Sequence, residues 1–456
     1  MLLGALRLKR VGVVLVVLLL TGFGLVSCGG KSNASPSASS GLKFRAFVSQ
    51  DVTLSSLLSP GLLVIDATKD LRASLISGGL GVLGTSSFFP GKMFLSNNRG
   101  TTLAINSVGT AITIVNNRTE TVTSTINLPA PGATESLAIS VEGNTAYAAV
   151  PNLSIPVGPP GGIEVLTLSG SSPGISGTVP IPSAHNVVES GDGSKLLVFS
   201  DNSNDVTIVY PFNIVAGQSS TCPTGGTTPT CQVVHGFDRP VYAFFSSDGT
   251  QAWVLNCGPE CGGTQASVQV IDLVNGVAGA LVPVPGGATV GFVQNQTLYV
   301  AGNPAPPNNT CAGITTAAPT CGRLTVVDMP SLSVVPNGTA VITDGYHTNM
   351  NMGNGQLFIG SRLCSNVVPR PAPATGEQRG CLTIVNTLVS LATSGAVIFP
   401  PDNGDVTGMT PITDRTVFYV VEGGELRIYD TTTDKIYTVA SIDVFGQAID
   451  VKQVDF

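Results

Sequence analysis

One short apolar segment recurs along the chain and constrains its fold more than any other feature. Each copy holds five or six residues rich in Val, Ile and Leu, and most end in Asp or Asn. The copies recur about every 52 residues, at 62–66, 111–116, 162–166, 205–210, 267–272, 323–328, 381–386 and 425–430. Self-similarity at a period of this size is typical of repeat architectures, in which each unit is one supersecondary motif.

Each copy lies within a longer pattern of strands. Most copies follow a hairpin, as at 244–256 and 187–201, where Asp248-Gly249 and Asp192-Gly193 supply the turn, and a further strand follows each copy, as at 121–128. Asp-Gly between alternating apolar residues is a strong hairpin signal. Charged residues make up 11% of the chain, and its 54 Gly and 31 Pro argue against long helices. We therefore predict an all-β chain, a single β-propeller of four-stranded antiparallel blades.

The two ends of the repeat region predict how the ring closes. The first unit begins at 44–49, which matches the second strand of other units and has no first strand before it. The C-terminal segment 447–456 supplies a spare first strand, so both termini would share one blade and hide two sheet edges. This favours eight blades. Seven is the alternative if one unit is degenerate, and unit 92–128 is the least regular.

The units resemble a known repeat. Phe245-Ser-Ser-Asp248-Gly249, followed by Trp253-Val-Leu-Asn256 and by 268–272, resembles the YVTN (YncE-like) β-propeller repeat, and several units between 44 and 456 match it. The resemblance implies a propeller. It also implies a place among surface or periplasmic proteins with binding roles, near lactonase-type propellers. WD signatures are absent, and a single Trp excludes the repeated tryptophan docking of quinoprotein dehydrogenases.

The N-terminus predicts export and a lipid anchor. A basic start with Arg7, Lys9 and Arg10 precedes the apolar run 11–20, which is typical of a secretory signal. Leu25-Val-Ser-Cys28 resembles the bacterial lipobox, whose Cys is acylated. We predict a signal peptide at 1–27, a lipidated Cys28 with a flexible tether at 28–41, and the propeller at 42–456. The expected location is the cell envelope, on the outer-membrane or periplasmic side. The alternative is a plain membrane anchor with an incidental Cys.

The other eight cysteines form four close pairs in sequence. An even number in an exported protein indicates disulfides. Nearest-neighbour pairing is favoured because each pair brackets one Gly-, Pro- or Thr-rich insertion, although eight Cys allow many connectivities. The pairs are Cys222/Cys231, Cys257/Cys261, Cys311/Cys321 and Cys364/Cys381. The spacing of Cys257 and Cys261 also fits half a zinc site, but no second half follows.

Strand direction assigns the loops to two faces. In an antiparallel blade, the loops from second to third strand share a face with the loops between blades. We call this the decorated face, because it would carry three of the four Cys-tied insertions. The loops between blades also carry much of the polar chemistry. The candidate ligand-binding residues are His185, Asp238, Arg239, Asp344, Tyr346, His347, Asp402 and Asp405.

Each candidate also has a purely structural interpretation. Asp and Asn stabilise turns by bonding their own backbone, loop His are usually solvated, and Arg239 would serve as an inter-blade ion-pair partner. If the acidic candidates converge, their repulsion would be relieved by a divalent cation or by Arg239. We favour the pair of Arg239 with a carboxylate. A structural or channel-mouth cation is the only cofactor that the sequence leaves open. The oxygen-rich stretch 201–205 lacks the Gly and Glu of an EF-hand loop.

Three functional classes remain. The favoured one is a binding or interaction propeller that engages a protein, glycan or cell-wall component through the decorated face. The second is a lactonase-like hydrolase with a metal at the channel mouth. The third is an envelope scaffold that binds no small molecule. The membrane is an expected partner through the lipid. Nucleic acid is not, since the net charge is −7.

Overall fold

Eight sheets of four antiparallel strands form the repeat region. The computed structural model describes residues 40–51, 61–76, 91–156, 158–214, 222, 229–305, 320–364, 380–400, 404–444 and 446–455. The predicted signal peptide and Cys28 lie outside these residues. Within the described residues, no helix has the length and apolar character needed to cross a membrane.

The strands are numbered in chain order, and each blade runs from the channel outward. Blade 1 is β32 (Gln447–Gln453), β1 (Arg45–Asp51), β2 (Gly61–Asp66) and β3 (Leu71–Ile76). Blade 2 is β4 (Met93–Leu95), β5 (Thr101–Ile105), β6 (Ala111–Asn116) and β7 (Thr121–Asn127). Blade 3 is β8 (Ser136–Ile139), β9 (Thr145–Val150), β10 (Gly162–Thr167) and β11 (Gly174–Pro180). Blade 4 is β12 (Ala184–Glu189), β13 (Leu196–Ser200), β14 (Asp205–Val209) and β15 (Cys231–His235).

The second half of the chain repeats this plan. Blade 5 is β16 (Pro240–Phe245), β17 (Gln251–Asn256), β18 (Ser267–Asp272) and β19 (Val277–Pro283). Blade 6 is β20 (Val290–Gln294), β21 (Thr297–Gly302), β22 (Gly322–Asp328) and β23 (Ser333–Ile342). Blade 7 is β24 (Tyr346–Gly353), β25 (Gln356–Arg362), β26 (Cys381–Asn386) and β27 (Val397–Ile398). Blade 8 is β28 (Val406–Pro411), β29 (Val417–Glu422), β30 (Glu425–Asp430) and β31 (Lys435–Ile442). Two 3-10 turns, Pro211–Asn213 and Gly258–Cys261, lie in loops.

These sheets confirm the predicted β-propeller of eight blades. All eight copies of the recurring segment are third strands, and they are largely buried because the blades stack on both of their faces. Eight hydrophobic clusters lie between neighbouring blades and complete the ring. In the cluster between blades 7 and 8, the rings of Phe358 and Phe418 stack with centroids 3.9 Å apart.

The ring closes as predicted, by pairing the chain's two ends. β1 pairs antiparallel with β32 on one side and with β2 on the other, with Val48 opposite both Val451 and Leu63. β1 is a second strand, so the chain enters it on the face opposite the decorated face. The C-terminal strand β32 ends on that same opposite face.

Candidate functional site

The predicted disulfides hold the loops of both faces. Cys257–Cys261 and Cys364–Cys381 are bonded, with Cα atoms 5.7 and 6.1 Å apart, and both lie in loops from second to third strand. Cys321 is also disulfide-bonded, while its predicted partner Cys311 lies outside the described residues. Cys222–Cys231 is bonded in a loop from third to fourth strand, on the opposite face. The three loops on the decorated face belong to blades 5, 6 and 7, which are neighbours.

Two of the predicted residues, His185 and Arg239, meet in one groove on the decorated face. This groove, which we call the blade 4–5 groove, has a volume of about 360 Å³. Its walls come from the loop after β13, the loops before β12 and β16, and Cys261 of the disulfide-tied loop. His185 also borders a second groove of about 270 Å³ towards blades 2 and 3, where Glu135 and Asn152 lie. His185 therefore stands between two adjoining concave surfaces.

His185 is oriented by an acidic partner. Its Nδ1 lies 3.2 Å from Oδ1 of Asp201, which follows β13. The hydrogen bond to Asp201 raises the pKa of His185, and burial opposes it only in part. Glu135 adds to the rise, whereas the ammonium of Lys92 opposes it. The imidazolium form is thus favoured at a higher pH than for an ordinary His.

Arg239 reaches the groove from a strained backbone position. Its φ is +58°, a left-handed conformation that is uncommon for a residue other than Gly. Its guanidinium donates to the carbonyl oxygen of Asn202, and its backbone N–H donates to Oδ1 of Asn204 at 3.3 Å. Its Nε is buried without a hydrogen-bond partner. The favoured ion pair between Arg239 and a carboxylate is not found within 4.0 Å among the described residues.

The Asp238 carboxylate is occupied by the neighbouring disulfide-tied loop. It accepts hydrogen bonds from the backbone N–H groups of Thr264 and Gln265, at 2.9 and 2.7 Å, and from the Thr264 hydroxyl at 2.5 Å. Burial works against its ionisation, but these bonds and the nearby Arg239 outweigh burial and lower its pKa. Asp238 therefore holds the loop that forms one wall of the groove.

Asp344, Tyr346 and His347 lie together between blades 6 and 7. Asp344 is buried, and its Oδ2 accepts a hydrogen bond of 2.6 Å from the Thr320 hydroxyl. His347 is 4% exposed and its Nε2 lies 2.9 Å from the carbonyl oxygen of Thr343. Burial lowers the pKa of His347 to about 4, so its ring is neutral near pH 7. Tyr346 is 61% exposed. His347 thus packs between blades 6 and 7, and its predicted ligand-binding role stays a prediction.

Asp405 joins blades 7 and 8. Its Oδ2 pairs with Nε of Arg362 at 3.2 Å, and its Oδ1 accepts from the backbone N–H of Leu363 at 3.0 Å. Asp402 lies outside the described residues. The structure therefore places Asp405 in an inter-blade ion pair, whereas the sequence suggested turn stabilisation or ligand binding for this residue.

A carboxylate that the sequence did not single out links the disulfide-tied loops. Glu260 lies within the Cys257–Cys261 loop of blade 5, and its Oε2 accepts a 2.7 Å hydrogen bond from the backbone of Asn303 in blade 6. The Asn303 Nδ2 donates to Glu260 Oε1 at 2.9 Å and to the carbonyl of Gly345 at 2.8 Å. Burial raises the pKa of Glu260 to about 7. Its position among the three residues between two paired cysteines was the one sequence signal that could have identified it.

A Gly makes this contact between blades possible. Gly345 has a φ of +91°. A Cβ at this position would lie 2.4 Å from the Arg362 carbonyl oxygen and 2.8 Å from Cys364 Sγ. The disulfide-tied loop of blade 5 is thus linked through Asn303 to Gly345, which packs against Cys364 of the blade 7 disulfide.

The described residues bring together one set of potential metal ligands. Asp344, Cys364 and Cys381 have ligand atoms within 4.8 Å of one another. Both cysteines are in a disulfide, so their sulfurs are not thiolates that could bind a metal. Among the described residues, this set gives no support to a lactonase-like metal site.

Comparison with known proteins shows the fold alone. No protein-family model matches the chain, and no curated protein matches it. The dihydro-heme d1 dehydrogenase NirN aligns with 91% of this chain and 76% of its own, at a TM-score of 0.56 and 12% identity. Hydrazine synthase of Kuenenia stuttgartiensis aligns with 78% of this chain and 100% of its own, at a TM-score of 0.52 and 14% identity.

A periplasmic gluconolactonase, PpgL of Pseudomonas aeruginosa, has a TM-score of 0.46 and 17% identity, with 90% of this chain and 98% of that chain covered. At this level of similarity, the match carries no argument about activity. The resemblance to the YVTN repeat stays a prediction, since no family model matches.

Proposed function

We propose that this protein is a membrane-anchored β-propeller of the cell envelope that binds a carboxylate-bearing ligand, a cell-wall saccharide or peptide, in the blade 4–5 groove. The anchor would be the lipid on Cys28. The ligand would meet the decorated face beside the Cys257–Cys261 loop, and a disulfide reduces the conformational entropy that such a loop loses on binding.

One observation carries this proposal. Arg239 lines a groove of about 360 Å³ next to a His whose pKa is raised, and no carboxylate among the described residues forms an ion pair with it. A ligand carboxylate that meets this guanidinium in the groove would gain a charge-assisted hydrogen bond. Asp201 neutralises part of the positive charge of His185, so the guanidinium is the main anchor and the imidazolium a secondary one.

Two sugars that differ by one lactyl ether, which carries the carboxylate, test the proposal. We expect N-acetylmuramic acid to bind the lipid-free mature protein saturably in calorimetry and N-acetylglucosamine to bind much more weakly. Arg239→Gln should weaken binding of the acidic sugar by about tenfold or more, since a hydrogen bond between charged groups contributes about 1.5–3 kcal/mol. His235→Gln is the matched control, because His235 is an exposed His whose Nδ1 pairs with Asp205 away from the groove. Equal binding of both sugars, or an Arg239→Gln variant that binds like wild type, would contradict the ligand class.

A further inference from the structure

The central channel opens on the opposite face into a cavity lined by both polar and apolar groups. The innermost strands of five consecutive blades, β4, β8, β12, β16 and β20, line a space of about 430 Å³. Aliphatic side chains such as Leu137, Val187 and Val293 line part of its wall. Polar residues, among them Asn97 and Glu189, line the rest. Because five inner strands surround it, this space is the channel itself and not a groove between two blades.

Two aromatic rings stand in this cavity. Tyr242 and Phe244 are two residues apart on β16, so their side chains point to the same side of the strand. Their ring centroids are 5.3 Å apart at an interplanar angle of 64°. Tyr242 is 36% exposed, which is unusual for an aromatic residue of an inner strand. An edge-to-face pair of this kind offers a ring face to a further group.

One carboxylate also borders this cavity. Glu189, the last residue of β12, lines both the channel cavity and a neighbouring cleft of about 340 Å³ between blades 3 and 4. Among the described residues, no hydrogen bond or ion pair holds its side chain. Burial, with the charges of Glu142 and Asp192, raises the pKa of Glu189 to about 7.

The groups that surround Glu189 do not neutralise it. Glu142 and Tyr147 face it from blade 3, and Tyr242 lines the channel cavity from blade 5. On its own hairpin lie Asp192 and Lys195, and the charge of Lys195 acts on Asp192. The local potential is therefore negative next to a cavity that holds two aromatic rings, which is the combination that recognises an organic cation.

We propose that the channel cavity binds an organic ammonium ion with an apolar body, whose charge lies between Glu189 and the rings of Tyr242 and Phe244. The apolar part of the ligand fills the space between the inner strands. The ammonium restores a counter-charge to Glu189 and contacts the aromatic faces. This site lies on the opposite face and is independent of the blade 4–5 groove.

Benzyltrimethylammonium and its uncharged carbon isostere, neopentylbenzene, test this site in calorimetric titrations of the lipid-free mature protein. At pH 8 the cation should bind saturably, and the isostere should bind at least about tenfold more weakly. Glu189→Gln should weaken cation binding by about tenfold or more. Lowering the pH from 8 to 6 should weaken it by about tenfold in wild type, because a group with a pKa near 7 loses most of its charge over that range. Glu425→Gln is the control, since Glu425 pairs with Arg427 in blade 8.

Three results would overturn the proposal. The first is that the cation does not bind saturably at concentrations up to about 10 mM. The second is that the isostere binds as tightly as the cation. The third is that Glu189→Gln binds the cation as tightly as wild type does. If Glu189→Gln does not fold, the pH series in wild type and the comparison with the isostere still test the proposed cation site. Tyr242→Leu is a second variant. It should weaken binding of the cation more than binding of the isostere.

Discussion

Arg45 and Asp455 form a two-pronged ion pair that joins the two ends of the propeller. Nε and Nη2 of Arg45 lie 2.7 Å from Oδ2 and Oδ1 of Asp455, and its Nη1 reaches Glu120 of blade 2 at 2.6 Å. The Asp455 bond raises the pKa of Arg45 more than any other influence, ahead of the opposing effect of burial. A bidentate pair with a mostly buried guanidinium fixes geometry as well as charge. The Arg45–Asp455 pair therefore stabilises blade 1, next to the hydrogen bonds between β1 and β32.

Removing the C-terminal strand should therefore open the ring. Deleting 447–456 exposes the edge of β1 and removes the partner of Arg45, so we expect the protein to unfold at lower temperature and to aggregate. Deleting only 454–456 removes Asp455 and the buried Val454 but keeps β32, so it should cost less than the longer deletion, about 3–5 kcal/mol. Thermal unfolding and light scattering measure both effects. A 447–456 deletion that melts with the full mature chain would refute the closure.

Cys28→Ala should leave an unlipidated precursor with its signal peptide attached. Acyl chains hold a protein on a membrane because each buried methylene contributes about 0.8 kcal/mol. The variant should incorporate no labelled palmitate and should have a different mass from the processed wild type. Ser27→Ala is the matched control, because it keeps both the thiol and a small residue at the cleavage site. Equal mass and equal detergent partitioning of Cys28→Ala and wild type would show that the motif is incidental.

Glu260 should make the protein less stable as the pH rises. Its folded pKa is about 7, above its ordinary value of 4.5. The folded state then holds a proton that the unfolded state has lost between these values. This contribution is fully present below pH 4.5 and is lost as the pH rises through 7, by up to about 3 kcal/mol. Glu260→Gln, which does not titrate, should show a smaller fall in stability between pH 4.5 and 8. Parallel curves for the two proteins would contradict the assigned pKa.

His347 should have the opposite dependence. Its folded pKa of about 4 lies below its ordinary value of 6.5, because burial disfavours the charged ring. Its contribution is present above pH 6.5 and is lost as the pH falls towards 4, by up to about 3 kcal/mol. His347→Gln should reduce the loss of stability on acidification, whatever it costs at neutral pH.

His235→Gln is the control for this measurement. His235 is 76% exposed, so its replacement should leave the pH dependence of unfolding close to that of wild type. A His347→Gln variant that still follows the wild-type profile would show that the buried ring is not the source of acid sensitivity.

The fold was predictable from the sequence because the strands and turns of a propeller blade have short-range sequence patterns. Alternating apolar residues and turns such as Asp248-Gly249 define each hairpin within about 15 residues, and the repeat supplies the rest. The spare strand at the C-terminus was recognisable because the first unit lacked one. Close pairs such as Cys257 and Cys261 were likewise paired correctly.

The site was less predictable because its contacts join residues that are distant in sequence. Arg239 was expected to form an ion pair with a carboxylate. The carboxylate of Asp238 instead accepts hydrogen bonds from Thr264 and Gln265. The guanidinium of Arg239 donates to the carbonyl oxygen of Asn202. The burial of His347 depends on a Gly in blade 6, where a Cβ at Gly322 would lie 2.8 Å from its ring. No local pattern encodes such packing.

The entry of the chain into β1 has a consequence for how the propeller would be displayed. The predicted tether from Cys28 to residue 41 would span about 20 Å as a flexible chain. With the proposed anchor, the opposite face would lie against the lipid headgroups and the blade 4–5 groove would point away from the bilayer. The protein would then bind ligands on two sides. The blade 4–5 groove, with Arg239, would face the cell wall. The channel cavity, with Glu189, would be within reach of cationic amphiphiles that partition into the membrane.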